Sequence, residues 1–189
     1  MRLTAWIAVA AFAAVSVACS ATDRGAAQDA TPPSSQRAQG LAAYDRIASV
    51  LQSRRCIGCH PRGDRPTQGE DKHYHLMNVQ RGADGNGMPA MRCSTCHQQH
   101  NNEAAGIPGA PGWQMAPKTM GWSGLSHGEL CRTLLDRRKN GGRNVADLVT
   151  HMLDAEVSYA WVPGGERRPP TLSIDELEQW TAAGAPCPK

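Results

Sequence analysis

Two copies of a five-residue motif constrain this chain more than any other feature of its sequence. Residues 56–60 read C-I-G-C-H and residues 93–97 read C-S-T-C-H, so both have the form C-x-x-C-H. This is the attachment motif of c-type haem. Two cysteines at this spacing can form thioethers along one edge of a porphyrin, and the adjacent histidine can bind the iron. The predicted attachment residues are Cys56, Cys59, Cys93 and Cys96, and the predicted proximal iron ligands are His60 and His97.

A zinc site built from the same four cysteines is the main alternative. Two C-x-x-C pairs can enclose zinc tetrahedrally. However, a four-thiolate site needs neither of the histidines that follow the pairs. The chain also begins with an export signal into a compartment where thiols oxidise. These features favour haem over zinc.

The N-terminus has the pattern of a secretory signal. Arg2 forms a short basic region, and residues 3–18 are an uncharged, mostly apolar run that is too short for a comfortable membrane span. The V-A-C-S sequence around Cys19 resembles a lipobox, in which the cysteine becomes a lipidated N-terminus. Ordinary cleavage at nearby small residues is the alternative. We predict a signal peptide over residues 1–19 and a periplasmic protein that is held to a membrane only through Cys19.

The seven cysteines divide into three groups. Four belong to the two motifs and Cys19 belongs to the processing site, which leaves Cys131 and Cys187. In an oxidising periplasm we expect this pair to form a disulfide. The alternative is that one of them is an iron ligand.

The composition suggests that the haems form much of the core. The only phenylalanine, Phe12, lies in the signal segment, and 19 glycines and 13 prolines limit the regular structure. A domain so poor in aromatic bulk would bury too little apolar surface without added groups. The formal net charge is only +3, and no basic stripe with interleaved aromatics is visible. We therefore expect a weakly charged redox partner and no nucleic acid.

The predicted architecture is mainly α-helical with long irregular loops, and its short helices pack around the two haems. Residues 20–40 are small and polar, with adjacent prolines, which is typical of a flexible tether. Residues 41–189 form the dihaem domain, with the haem motifs at 56–97 and a helical C-terminal part at 126–189. The first helix is predicted over 41–54. Three further helices are predicted. The first covers 126–138 and begins with a capping box, Ser126 with Glu129, and the last begins with another, Ser173 with Glu176. Between them, Asn144 is predicted to cap a helix that has Asp147 in its first turn.

Each iron also needs a distal ligand unless it is catalytic, and the spare histidines and methionines are the candidates. We choose His75, in the loop between the motifs, and His151, on the flank of the apolar stripe that follows Asn144. The next candidates are His73, His100 and Met91. Two bis-histidine irons imply a low-potential carrier. Trp113 and Trp122 are expected to pack on haem edges or on the following helices. Arginines that could pair with haem propionates are Arg62, Arg65, Arg143, Arg167 and Arg168.

The chain resembles a family of small periplasmic dihaem c-type cytochromes. Some members of this family are described as subunits accompanying isoquinoline 1-oxidoreductase, a molybdenum hydroxylase. The resemblance covers residues 54–189 and includes 75–87 (H-L-M-N-V-Q-R-G-A-D-G-N-G), 92–98 and the ending 184–188 (G-A-P-C-P). It implies electron transfer by two haems attached at the two motifs. It also implies a redox partner, either a molybdenum hydroxylase or a carrier cytochrome.

The predicted function is therefore a one-electron relay between an oxidoreductase and a respiratory carrier, without catalytic residues. One rival is a dihaem enzyme of the peroxidase or sulfur-compound oxidation type. It would need one iron with an open position and an acid–base group above it. The other rival is a structural or sensory haem module. Binding of carbon monoxide or cyanide distinguishes the enzyme from the relay, and electron exchange with small reductants and carrier cytochromes distinguishes the sensory module.

Overall fold

The computed structural model describes residues 33–69, 71–152, 154, 156–157 and 173–189. The predicted signal peptide, Cys19 and the tether as far as residue 32 lie outside these residues. Within them the chain is mainly helical, as predicted, with five α-helices and two very short β-hairpins joined by long loops. None of the helices in this part of the chain is long and apolar enough to cross a membrane.

Helix α1 spans Ser34–Leu51 and follows Pro33 directly. Proline suits this place because its φ angle is already helical and the missing N–H would have no helical partner. The end of the tether predicted over residues 20–40 is therefore wrong, since its last residues begin the helix. Gly40 indicated flexible chain, but it lies at a close helix contact, where a Cβ would come within 2.4 Å of the Cβ of Ala183. Close packing, rather than a turn, accounts for this glycine.

The apolar core forms where α1 meets the last helix, α5, which spans Ile174–Ala182. Tyr44 on α1 and Trp180 on α5 are buried, and their ring centroids lie 5.2 Å apart. The indole Nε1 of Trp180 donates a hydrogen bond to the carbonyl of Pro186 at 3.0 Å. Burial of each aromatic side chain contributes roughly 1.5–3 kcal/mol, so this contact anchors the C-terminus to α1.

Helix α3 spans His127–Leu135 and begins with the predicted capping box. The hydroxyl of Ser126 accepts a hydrogen bond from the backbone N–H of Glu129, and the Glu129 carboxylate accepts one from the N–H of Ser126 at 2.8 Å. The helix was predicted to reach residue 138 but ends at Leu135. The reason is the buried amide of Asn140, which donates to the carbonyl of Leu134 at 2.6 Å and folds the chain back on the helix end.

Helix α4 spans Val145–His151, and the cap predicted at Asn144 is present as a full capping box with Asp147. The capping box predicted at Ser173 is not formed. Ser173 precedes α5, but its side chain makes no capping hydrogen bond. Glu176 instead pairs with Arg46 on α1 at 2.5 Å, because the packing of α1 on α5 gives this carboxylate a charged partner.

Between α1 and α3 the chain is mostly loop, with little regular structure. Helix α2 is the short segment Arg54–Cys59. Strands β1 (Thr67–Gln68) and β2 (His73–Tyr74) form one antiparallel hairpin, and β3 (Gly87–Met88) and β4 (Met91–Arg92) form another. Strands of two residues are too short to show an alternating pattern, which is why the sequence did not indicate them. Single 3₁₀ turns lie at Leu76–Asn78, Cys93–Thr95, Glu103–Ala105 and Lys118–Met120.

A disulfide joins α3 to the C-terminal segment. Cys131 and Cys187 are bonded, with their Cα atoms 5.5 Å apart. This confirms the pairing expected from the cysteine count and excludes either sulfur as an iron ligand in this structure. The bridge closes a loop with a sequence separation of 56 residues, which includes α4 and α5.

Candidate functional site

One large cavity contains both C-x-x-C-H motifs in its wall. Its volume is about 1130 Å³, whereas pockets for single small ligands typically measure about 300–1,000 Å³. The cavity lies between the loop region and the ends of α2 and α4. The predicted attachment and proximal residues that line it are Cys56, Cys59, His60, Cys93, Cys96 and His97.

The loop region around this cavity has almost no apolar core of its own. Between residues 61 and 119, apart from prolines and glycines, the buried apolar side chains among the described residues are Ala110 and Met115. A segment of this length normally buries many more. The loops therefore surround a space instead of packing against each other, which fits the expectation that a bulky group completes the core.

The histidine of the first motif is held in a defined orientation. His60 follows the C-terminus of α2, and its Nδ1 lies 2.8 Å from the carbonyl of Met120. Because a carbonyl can only accept, Nδ1 carries the proton and Nε2 carries the lone pair. The imidazole ring stacks on Trp122, with the ring centroids 3.5 Å apart and the ring planes at 12° to each other. Burial lowers the pKa of His60 to about 3, so the imidazole is neutral, as a metal ligand must be.

The second motif repeats this arrangement on a different local structure. It begins in a 3₁₀ turn, and the Nδ1 of His97 donates to the carbonyl of Pro108 at 2.8 Å. The His97 ring stacks on Trp113, with the ring centroids 4.3 Å apart and the ring planes at 5° to each other. In both motifs a backbone carbonyl fixes the tautomer and a tryptophan fixes the ring plane. Such outer contacts are typical of metal-binding histidines. The two tryptophans thus pack on the histidine rings, a contact that the sequence did not indicate.

The cysteines of the two motifs line the same cavity. Burial raises the pKa of Cys56 to about 11 and that of Cys59 to about 12. The pKa of Cys59 is raised further by the neighbouring sulfurs of Cys56 and Cys93. The first and second motifs are therefore close enough at this point to interact electrostatically.

The four cysteine sulfurs are not gathered into one cluster among the described residues. Among the described residues, the ligating atoms that converge within 4.8 Å in groups of three or more belong to His151, Asp154 and Glu156. A tetrahedral thiolate site would bring its sulfurs together in the same way. The geometry therefore gives no support to the zinc alternative.

His75, the first predicted distal ligand, lies close to the second motif. Its ring centroid is 6.0 Å from that of His97, and the two rings are at 85°. The backbone N–H of His75 donates to the carbonyl of Pro66 at 3.0 Å, which holds it beside the β1–β2 hairpin. Burial lowers the pKa of His75, as do the positive charges of His97 and His73. The buried Nδ1 atom has no hydrogen-bond partner among the described residues.

His151, the second predicted distal ligand, lines the cavity beside the first motif. It is the last residue of α4, and its Nδ1 bonds the carboxylate of Asp154 at 2.5 Å. Its charge contributes to lowering the pKa of His60, so the two rings are within electrostatic range. A carboxylate on Nδ1 orients the ring and directs Nε2 away from Asp154. The sequence did not indicate Asp154.

The other histidines have different partners. His73 is exposed and bonds Asp71 at 2.6 Å, and His127 bonds Asp45 on α1 at 2.7 Å. His100 is exposed and, like His73 and His127, does not line the cavity. Of the second-choice ligands, only Met91 lines it.

Two further residues of the cavity wall have buried donors that the sequence did not indicate. Arg81 is a buried arginine in the wall, and Trp122 has a buried indole Nε1 without a hydrogen-bond partner among the described residues. No local pattern marks Arg81, because its burial depends on how the loops fold back. Of the arginines named from the sequence, Arg143 lines the cavity, Arg62 and Arg65 do not, and Arg167 and Arg168 lie outside the described residues.

Comparisons of this chain with protein-family models, curated proteins and solved structures found no match.

Proposed function

We propose that this protein is an electron carrier with two covalent c-type haems, one attached at each C-x-x-C-H motif. One observation carries the proposal. Both motifs line a single cavity, and in each of them the histidine bonds a backbone carbonyl through Nδ1 and stacks on a tryptophan. When bound, haem iron supplies reversible one-electron oxidation and reduction. The protein supplies attachment, ligand orientation and exclusion of water.

The cysteines and the proximal histidines have complementary roles. Cys56 and Cys59 would hold one haem by two thioethers, and Cys93 and Cys96 would hold the second haem in the same way. His60 would present Nε2 to the first iron, because its Nδ1 is hydrogen-bonded to the carbonyl of Met120. The second motif uses the carbonyl of Pro108 in the same way. Since each hydrogen bond increases the basicity of the ligating nitrogen, both contacts strengthen the iron–histidine bond.

The position of His75 supports its role as the distal ligand at the second motif. An imidazole nitrogen lies about 2 Å from a bound metal and about 1 Å from the centre of its own ring. Two imidazoles that bound one metal would therefore have their centres at most about 6 Å apart. The observed distance between the ring centroids of His75 and His97 is 6.0 Å. The angle of 85° between the two ring planes would also be compatible with a shared metal, because each ring could rotate about its own metal–nitrogen bond.

His151 has the corresponding role at the first motif. Its hydrogen bond to Asp154 holds the ring at the end of α4, where it lines the same cavity as His60. If His75 and His151 bound the two irons, neither iron would keep an open position. This arrangement favours the relay over the dihaem enzyme, which needs one open iron.

The setting of the relay follows from the sequence alone. The proposed location is the periplasm, with attachment to a membrane through lipidated Cys19. The proposed partners are an oxidoreductase, such as a molybdenum hydroxylase, and a carrier cytochrome. The signal segment and the lipobox pattern at Cys19 support the location, and the resemblance of residues 54–189 to small dihaem c-type cytochromes supports a redox partner.

Replacement of the two distal histidines one at a time tests the proposed function. His75→Ala and His151→Ala are compared with His73→Ala, which is the matched control because His73 is exposed and pairs with Asp71 outside the cavity. Low-temperature EPR and carbon monoxide binding are measured on each holoprotein. We expect two low-spin irons and no rapid carbon monoxide binding in the wild type and in His73→Ala.

Each distal variant should convert one of the two irons to a high-spin state that binds carbon monoxide, and the double variant should convert both. Rapid binding at one iron of the wild-type protein would instead support the dihaem enzyme. Two low-spin irons in both single variants would overturn the assignment of the distal ligands.

A further inference from the structure

Arg81 is a charged residue held inside the protein by the segment that follows the first motif. Only 6% of its surface is exposed. Its Nη2 donates hydrogen bonds to the carbonyls of Pro61 at 3.1 Å and Gly63 at 2.9 Å. Its backbone N–H donates to the carbonyl of Asp64 at 2.7 Å. Both its backbone and its side chain are therefore fixed against residues 61–64.

The remaining donors of this guanidinium are unpaired. Nε and Nη1 are buried and have no hydrogen-bond partner among the described residues. The nearest carboxylate is that of Asp64, which lies 3.7 Å from Nε and also bonds Lys118 at 2.8 Å. A buried charge with unpaired donors is costly, and proteins normally give it a close anionic partner. The described part of the chain supplies only this distant, shared one.

The unpaired donors lie beside the first motif. Arg81 lines the same cavity as Cys59 and His60, and its charge contributes to the pKa shifts of both residues. A second unpaired donor, the buried Nε1 of Trp122, belongs to the residue that stacks on His60. Two independent buried donors are thus present on the cavity wall near His60, the predicted proximal ligand of the first haem.

We infer that Arg81 binds a carboxylate of the group attached at the first motif, namely a propionate of that haem. This inference rests on the proposed function, because the propionate belongs to the haem. A guanidinium is suited to the role, since its planar N–H groups match the oxygens of a carboxylate. Arg143, which also lines the cavity, is less suited because it is only partly buried, so water can solvate its charge.

The alternative is that Arg81 only braces the loop through the carbonyls of Pro61 and Gly63. The two roles predict different properties for the propionates. An opposite charge in contact with a carboxylate lowers its pKa by roughly 1–3 units. A brace without contact would leave all the propionates with similar pKa values.

The first experiment uses the wild-type holoprotein and needs no substitution. The propionate resonances of the two haems are followed by NMR as the pH is varied. We expect one propionate of the first haem to titrate about 1–3 units below the others. If all the propionates titrate together, the inference is overturned.

The second experiment measures the midpoint potential of each haem against pH in Arg81→Gln, Arg81→Lys and Arg138→Gln. Arg138→Gln is the control for charge loss, because the Arg138 side chain is 92% exposed and does not line the cavity. In the plot of midpoint potential against pH, we expect the inflection of the first haem to move up by about 1–3 pH units in Arg81→Gln. The inflection of the second haem should stay in place. Arg81→Lys should retain most of the wild-type profile because it retains the charge.

If the midpoint potentials of Arg81→Gln and Arg138→Gln depended on pH in the same way, the inference would be overturned and the proposed function would remain intact. A wild-type protein without covalent haem would overturn both. The haem content of the wild type therefore distinguishes the two failures.

Discussion

Removal of the disulfide between Cys131 and Cys187 tests how the C-terminal half is held together. The bridge closes a loop with a sequence separation of 56 residues. In the chain-entropy model a loop of that length restricts the unfolded chain by about 14 cal/mol/K, which corresponds to about 4 kcal/mol at 25 °C. We therefore expect the variant with Cys131→Ala and Cys187→Ala to lose about 4 kcal/mol of unfolding free energy. That loss is a large part of the stability of an ordinary domain.

Urea denaturation of the holoprotein, followed by far-UV circular dichroism, measures this loss. Chemical reduction is unsuitable as the perturbation because it would also reduce the haem iron. If the bridge acts by restricting the unfolded chain, the variant should also show a larger m-value, since its unfolded state exposes more surface. A loss below about 1 kcal/mol with an unchanged m-value would refute the entropic reasoning.

Two further predictions concern helix contacts, and both are measured by urea denaturation. Gly40→Ala should lower the unfolding free energy by about 1–3 kcal/mol, because the added Cβ would collide with Ala183. The control is Gly63→Ala, where no atom lies within 4 Å of the added Cβ. It should change the unfolding free energy by less than about 0.5 kcal/mol. Equal effects would contradict the packing of α1 on α5. Ser126→Ala should cost about 1 kcal/mol through loss of the capping hydrogen bond, whereas Ser173→Ala should cost much less because that side chain makes none. A larger effect of Ser173→Ala would show that this cap forms in solution.

The capping residues show which helix starts can be predicted from the local sequence and which cannot. Ser126 and Asn144 cap their helices as predicted, because the donors and acceptors involved are only three residues apart. Ser173 has the same local pattern but does not cap. Its partner Glu176 bonds Arg46, which is 130 residues away in the sequence. A distant charged group thus overrides the local signal, and only the packing of α1 on α5 reveals it.

The candidate site likewise combines residues that the local sequence predicts with residues that only the tertiary structure reveals. The attachment residues and His60 and His97 follow from the motifs, and the choice of His75 and His151 agrees with their places in the cavity wall. The roles of other residues depend on tertiary contacts between loops, which no periodicity encodes. Such residues are the buried Arg81, the carboxylate of Asp154 and the tryptophans stacked on the proximal histidines.

Covalent haem content is the most direct test of the central claim. The mature protein is purified after expression in a host that attaches c-type haem, then denatured and weighed by mass spectrometry. If both motifs carry haem, the mass should exceed that of the polypeptide by two haems per chain, and the pyridine haemochrome spectrum should give the same haem content. The variant with Cys93→Ala and Cys96→Ala should keep one haem. A colourless protein whose mass shows only the polypeptide would contradict the account.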